Sequence, residues 1–131
     1  MDTGWPARDG AAYYRGLLGS ALCLLARDGG EVVGHLVGRM SSSELRPGAK
    51  VAVLESMRVD ASVRRGGVGS ALVAEFTGWA EQNGATELRV TAFAGNEGAL
   101  AFYRSCGFEA FEVTLRNVYP NSRSTSANTT A

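Results

Sequence analysis

The sequence has few of the residues that build metal centres and disulfide frameworks. It contains two cysteines, Cys23 and Cys106, and one histidine, His35, and none of them lies in a ligand-spaced cluster. A zinc site therefore has no plausible ligand set, and we expect no metal. Two cysteines in apolar contexts are more often buried and reduced than paired, although the sequence alone leaves a disulfide open.

The chain also lacks an excess of charge of either sign and any long apolar run. Thirteen basic residues balance thirteen acidic ones, so no overall field attracts nucleic acid or an anionic membrane. No apolar run approaches the about 20 residues that a membrane-spanning helix needs. Residues 1–10 have neither the basic start nor the apolar stretch of a signal peptide. We therefore expect a cytoplasmic protein with no nucleic-acid or membrane partner.

Glycine is the residue that the sequence has in excess. There are 17 glycines among 131 residues, which indicates several backbone positions that need a positive φ or a close approach. The length suits one domain, which we place at residues 1–120. Residues 121–131 have almost no apolar surface to bury, and we expect them to be a disordered tail.

Hydrophobic spacing predicts an α/β fold, with a mixed central sheet flanked by helices. Residues 11–20 have the spacing of a short helix, and the turn Asp28-Gly29-Gly30 predicts a hairpin between the apolar runs on either side. In the strand predicted at residues 51–59, strict alternation would place Glu55, Met57 and Val59 on one face. The predicted elements are a helix at 11–20, strands at 21–27, 31–40, 51–59 and 86–94, helices at 68–83 and 96–105, and one or two strands within 108–119.

A short connection rich in glycine and arginine joins the strand ending at Val59 to the helix that follows. The first N–H groups of a helix have no intrahelical partner, and the helix dipole contributes about 0.3–1 kcal/mol to holding an anion there. Glycines let phosphate oxygens approach the backbone, and arginines supply charge and donors. A glycine-rich turn with surface arginines is the alternative, but the combination favours a phosphate site. Its residues are Arg64, Arg65, Gly66, Gly67, Val68, Gly69 and Ser70.

Two common phosphate motifs do not match this connection. No lysine follows the glycines, which disfavours a P-loop, and Leu72 stands where the dinucleotide fingerprint needs its third glycine. The connection instead resembles the acyl-coenzyme-A loop of the GNAT superfamily, Arg/Gln-x-x-Gly-x-Gly/Ala. Arg64, Gly67 and Gly69 match that pattern at the required spacing.

A second motif near the C-terminus strengthens the resemblance. GNAT proteins commonly carry N-x-x-A-x-x-[aromatic or aliphatic]-Y-x-x-x-G-F, and this chain matches it at Asn96, Ala99, Phe102, Tyr103, Gly107 and Phe108. The resemblance implies a GNAT-like fold that binds acetyl-coenzyme A as co-substrate in a groove between the strands 51–59 and 86–94. It also implies cofactor contacts beyond the loop, at Met57, Val59, Asn96, Ala99 and Tyr103.

The implied reaction is transfer of an acetyl group to a primary amine of a small molecule or protein, directly within a ternary complex. An alkyl ammonium has a pKa near 10.4, so it needs a base. Glu55 is the candidate base, because parts of the family use a carboxylate at this strand position as the base, often through water; a strand-edge or salt-bridged glutamate is the alternative. The N–H of Met57 could polarise the acetyl carbonyl. Tyr103 is the candidate general acid for the leaving thiolate, or else a core tyrosine.

The N-terminal part is short for this family, whose members usually open with a strand and a helix pair. Only about 20 residues precede Ala21, so we expect the first strand and much of the first helix to be absent. Those elements normally form one wall of the acceptor pocket. A bare sheet edge favours self-association, and we expect a homodimer. A non-catalytic module that senses acyl-coenzyme A is the alternative function.

Overall fold

In the part of the chain that the structure describes, six strands form one mixed sheet, and the helix α1 (Val68–Gln82) packs on one of its faces. This computed structural model describes residues 3–8, 11–41, 48–61, 63 and 67–120, and of residues 3–8 only the backbone. The strand order is β1-β2-β3-β4-β5-β6; each strand is antiparallel to the next except β5 and β6, which are parallel. The predicted fold class is confirmed. The elements are β1 (Thr3–Arg8), β2 (Ala11–Leu18), β3 (Ala21–Asp28), β4 (Glu31–Met40), β5 (Val51–Val59), α1 (Val68–Gln82), β6 (Glu87–Val90) and α2 (Glu97–Ser105).

The core lies between α1 and the sheet. Because β5 and β6 are parallel, the chain must cross over between them, and α1 makes this crossover. The predicted apolar stripe of α1 is buried, with Leu72 and Phe76 at 0% exposure, and it packs on Leu24 and Leu36 of the sheet. Gly84, with φ +83°, ends the helix as predicted.

Two glycines of β4 allow α1 to approach the sheet closely. A Cβ atom at Gly38 would lie 2.5 Å from Cε1 of Phe76, and one at Gly34 would lie 3.0 Å from Cγ1 of Val68. Leu36, between them, points to the same face and is fully buried. The glycines therefore form the surface of β4 on which α1 rests.

The N-terminal part differs from the prediction. Residues 11–18 form the strand β2, not a helix, and they pair with β3 from Ala12↔Arg27 to Leu18↔Ala21. A further strand, β1, precedes it, so the expected loss of the first strand is also wrong. The local pattern misled because Ala11 and Tyr13, two residues apart, are both buried against the core. Burial of every second residue indicates a strand only when a neighbouring strand is available for pairing, and here β3 is that strand.

The C-terminal part also differs from the prediction. Residues 108–118 form no strand, and β6 is limited to Glu87–Val90 within the predicted 86–94. The predicted disordered tail, 121–131, lies outside the described residues. Cys23 and Cys106 are free thiols, and no helix in the described ranges is long and apolar enough to cross a membrane.

Candidate functional site

The parallel strands β5 and β6 separate halfway along β5. Their pairing runs from Val51↔Glu87 to Leu54↔Val90 and stops there, while β5 continues to Val59. On its other side, β5 stays paired with β4 up to Val59↔Gly34. One edge of β5 between residues 55 and 59 therefore faces a cleft where β6 has ended, as expected for the two strands.

A β-bulge at Glu55 sets which groups of β5 face this cleft. Val37 pairs with Ser56, but the next residue of β4, Gly38, pairs with Leu54, so Glu55 is the extra residue. Backbone groups alternate in direction along an antiparallel pair. Because the N–H of Asp60 donates to β4, those of Met57 and Val59 point away from β4, toward the cleft.

The bulge overturns the predicted side-chain faces of β5. Leu54 pairs with Gly38 and Met57 pairs with Leu36, and both partners face α1. Met57 therefore lies on the α1 face with Leu54, although strict alternation would separate them. Glu55 does not share this face, since its carboxylate pairs with the Nε of Arg39, and Arg39 points away from α1.

The N-terminus of α1 presents unpaired amides beside the cleft. The first helical hydrogen bond runs from the N–H of Ala71 to the carbonyl of Gly67, at 2.9 Å. Gly67 adopts φ +87°, no side chain caps the helix, and its first turn carries no acidic residue. Within the described ranges, the N–H groups of Val68, Gly69 and Ser70 therefore donate to no protein group. Such a terminus suits an anion.

Three residues of the predicted phosphate loop, Arg64, Arg65 and Gly66, lie outside the described residues. The structure does assign a packing role to Gly69 of the same loop. A Cβ atom there would lie 3.1 Å from Cζ of Phe102 and 3.3 Å from Cε of Met57. The missing Cβ of Gly69 thus lets α1, β5 and α2 meet at the cleft, whereas the sequence argument assigned that space to phosphate oxygens.

Phe102 is the residue of α2 that reaches this junction, and the predicted contacts Asn96, Ala99 and Tyr103 lie on the same helix or at its N-cap. Asn96 is the N-cap, and its Oδ1 accepts a hydrogen bond from the backbone N–H of Ala99 at 3.0 Å. The N–H of Ala99 therefore already has a partner within the helix. Tyr103 is half-buried, and its ring packs edge-on against Phe108 at 5.8 Å between centroids. Burial, followed by the nearby Cys106 thiol, raises the pKa of Tyr103 above 10.0. Its hydroxyl therefore keeps its proton throughout the neutral range.

The face of the sheet opposite α1 carries the second group of polar side chains. Glu55 and Arg39 lie here with 38% and 44% of their side chains exposed. On the same face, Ser56 Oγ lies 3.4 Å from Nε2 of His35. The sequence argument missed Arg39, because a local pattern does not reveal the shifted register between β4 and β5. No helix of the described chain covers this face, and the described residues contain no His/Cys/Asp/Glu cluster able to hold a metal ion.

Together these features suit an extended anionic ligand that ends in a reactive group. The N-terminus of α1 can hold the anionic part, and the outward N–H of Met57 on β5 can hydrogen-bond a chain running along the cleft. Tyr103, held in its protonated form, can act as a proton donor.

Comparison with known proteins agrees with this arrangement. The model of the acetyltransferase (GNAT) family matches residues 3–108. A transcriptional regulator from Bacillus halodurans C-125 has a similar structure, with 26% identity and a TM-score of 0.68 over 78% of this chain and 68% of that one. An aminoglycoside acetyltransferase from an uncultured soil metagenomic sample has 24% identity and a TM-score of 0.66, over 78% of this chain and 66% of that one.

A third similar structure was solved with CoA. It is the aminoglycoside N-acetyltransferase AAC(6')-Iy, with 20% identity and a TM-score of 0.69, over 77% of each chain. A search of curated proteins found no match. The matched part of this chain therefore spans about two thirds to three quarters of the length of these structural relatives.

Proposed function

Because the chain belongs to the GNAT acetyltransferase family, we propose that it transfers an acetyl group from acetyl-coenzyme A to a primary amine of a small molecule or protein. The transfer is direct, within a ternary complex. The observation that carries the proposal is the cleft where β5 continues past the end of β6, beside the uncapped N-terminus of α1. The general class, an acyltransferase of the GNAT type, follows from family membership.

In this proposal the pyrophosphate of coenzyme A binds at the N-terminus of α1, and the pantetheine arm runs along β5. A CoA complex of one structural relative supports the choice of ligand. The amides of α1 and the outward N–H of Met57 on β5 provide matching donors. The residues proposed to contact acetyl-coenzyme A are Met57, Val59, Arg64, Arg65, Gly66, Gly67, Val68, Gly69, Ser70, Asn96, Ala99 and Tyr103.

The proposed chemistry assigns one proton transfer to each of two residues. Glu55, exposed on its bulge, accepts a proton from the amine, directly or through water. The N–H of Met57 donates to the acetyl carbonyl oxygen as negative charge develops on it. Tyr103 then gives its proton to the departing thiolate, which a phenol with a raised pKa can do because it remains protonated.

An amine acceptor is supported by the two aminoglycoside acetyltransferases among the structural relatives. The open face that carries Glu55 and Arg39 favours the second candidate function, a non-catalytic acyl-coenzyme-A sensor, because no described helix walls an acceptor pocket there. The remaining parts of the proposal are a homodimer, a cytoplasmic location, and no nucleic-acid or membrane partner. They rest on the sheet edges and the balanced charge.

The decisive experiment measures release of free thiol from acetyl-coenzyme A in the presence of amines, amino acids, polyamines and peptides. We expect at least one primary amine to support turnover, with acetyl-amine found by mass spectrometry. If calorimetry detects coenzyme A binding but no acceptor supports turnover, the sensor is the correct function. If coenzyme A itself does not bind, both candidate functions are wrong.

The phosphate site has its own test, in Arg64→Ala. A guanidinium–phosphate hydrogen bond is worth about 1.5–3 kcal/mol, so we expect the dissociation constant of coenzyme A to rise about tenfold. Desulfo-coenzyme A, which keeps the pyrophosphate, should lose affinity to the same extent in calorimetry. Lys50→Ala removes a positive charge at the opposite end of β5 and should leave the affinity unchanged. Equal losses in both variants would indicate a general charge effect and contradict the site.

The role of Glu55 as the base is tested by comparing Glu55→Gln with the control variant Arg39→Gln. A general base must offer a carboxylate that can accept the proton of the amine. In Glu55→Gln this carboxylate becomes an amide, so we expect kcat/KM to fall about a hundredfold, the lower end of what general acid–base catalysis contributes. Arg39→Gln breaks the same ion pair but keeps the carboxylate, so its kcat/KM should stay close to that of the parent. If the two variants behave alike, Glu55 has only a structural role.

A further inference from the structure

The segment after α2 exposes an unusual amount of apolar surface. Of the nine large hydrophobic residues that are exposed among the described residues, five lie in this segment: Phe111, Val113, Leu115, Val118 and Tyr119. Val113 and Leu115 are 81% and 87% exposed. Clustering of exposed apolar side chains in one short segment favours an interaction site.

The pattern of this segment is that of a β-strand without a partner. We call residues 109–119 the C-terminal segment. Phe111, Val113 and Leu115 alternate with Glu112, Thr114 and Arg116, which in an extended chain gives one apolar side and one polar side. Within the described residues, the segment makes no strand pairing, and Glu112 and Arg116 make no ion pair.

The segment is complementary to a second copy of itself in one antiparallel register. We propose that two copies of this chain associate through their C-terminal segments, paired as antiparallel strands around a two-fold axis at Thr114. In that register Glu112 lies opposite Arg116 of the other copy, and this pair occurs twice. On the other side of the ribbon, Val113 lies opposite Leu115, again twice. Opposite charges and apolar pairs across strands both stabilise such a ladder.

Neighbouring registers lose this complementarity. Centring the pair on Val113 places Glu112 opposite Thr114 and Phe111 opposite Leu115, and leaves Arg116 opposite Ala110. Centring it on Leu115 places Arg116 opposite Thr114 and Glu112 opposite Val118. A centre between two residues pairs the apolar side of one strand with the polar side of the other. Only the Thr114 register matches both charge and hydrophobicity.

A second copy is a better partner for the segment than its own sheet. The segment starts beside β6, where the guanidinium of Arg89 lies 5.2 Å from the ring centroid of Phe111. Strand β6 has only four residues, too few to pair with eleven, and the segment makes no strand pairing with it. In a symmetric dimer, each segment instead meets an identical strand of equal length, which is the self-complementary contact that a two-fold axis requires.

Charge reversal tests the register directly. Sedimentation velocity of the full chain over a wide concentration range should show a dimer. Glu112→Arg and Arg116→Glu should each raise the dimer dissociation constant about tenfold or more, because two attractive pairs become repulsive. The double variant Glu112→Arg/Arg116→Glu restores opposite charges and should recover most of the affinity. Glu31→Arg, an equal charge change at the exposed start of β4, should have no effect.

Cysteine crosslinking provides an independent readout. In the proposed register, Thr114 is the one position that faces its own copy, so Thr114→Cys should form a disulfide-linked dimer under mild oxidation. Asn117→Cys, which would face Phe111, should not. Four results overturn the proposal: a monomer at all concentrations, single charge reversals without effect, a double variant no better than either single, or crosslinking at position 117 instead of 114. If the protein is a monomer and the backbone amides of residues 111–116 resist hydrogen exchange, the C-terminal segment pairs within its own chain and not with a second copy.

Discussion

Tyr103→Phe is expected to lower kcat about a hundredfold, at the lower end of the contribution of general acid–base catalysis. The substitution removes only the hydroxyl, so the ring still packs against Phe108 and the fold should be unchanged. Affinity for coenzyme A should change little, since the hydroxyl is assigned to proton donation to the leaving thiolate. Stopped-flow measurement of acetyl transfer, with binding measured by calorimetry, separates these two effects.

The pH dependence of kcat provides a second test of Tyr103 as the general acid. Burial raises the pKa of Tyr103 above 10.0, so the protonated, active form is the major one up to that pH. Any alkaline decline in kcat that depends on Tyr103 should therefore have its midpoint above pH 10 and be absent from Tyr103→Phe. Tyr14→Phe removes a hydroxyl from β2 and serves as the control with full activity. Full activity in Tyr103→Phe would remove the general-acid assignment.

Gly38→Ala is expected to reduce the free energy of unfolding by about 1–3 kcal/mol, the usual cost of overpacking a core. The added methyl group would lie 2.5 Å from the ring of Phe76, which is fully buried. The ring can move only by displacing its neighbours, including Trp79, whose centroid lies 6.3 Å away. Urea unfolding followed by tryptophan fluorescence measures the change.

The matched control for Gly38→Ala is Gly78→Ala, which should change stability in the opposite direction. Gly78 lies within α1, and a Cβ atom there would contact nothing within 4 Å. Alanine is favoured over glycine inside a helix by about 0.5–1 kcal/mol, so this variant should be more stable than the parent. If both variants are equally stable, then the contact between β4 and α1 is looser than the structure indicates.

The parts of the fold that depend on local sequence could be predicted. The turn Asp28-Gly29-Gly30 does join two strands, with positive φ at Gly29 and Gly30. The stripe of α1 is buried as predicted, and Asn96 caps α2. Each of these signals involves residues within a few positions of one another, so the chemistry of capping, turns and helical periodicity is sufficient.

The parts that depend on distant pairing could not be predicted. Residues 11–18 became a strand because β3 offers them an edge, while the strand-like residues 108–118 remained without one. The bulge at Glu55 arises from the register with β4, and it moved Met57 to the face opposite the one that alternation predicts. The prediction that Glu55 and Met57 share one face of the strand is therefore wrong.

The sequence by itself determined the family, through the residues matching the loop at Arg64, Gly67 and Gly69 and the motif that starts at Asn96. Only the tertiary structure decided which edge of β5 faces the cleft and which face of the sheet carries Glu55. It also decided that Gly69 makes room for Phe102 of α2 and that Gly38 makes room for Phe76 of α1. The physical reason is that a motif records which groups a ligand needs. The direction in which those groups point depends on strand register and helix packing between residues far apart in the chain.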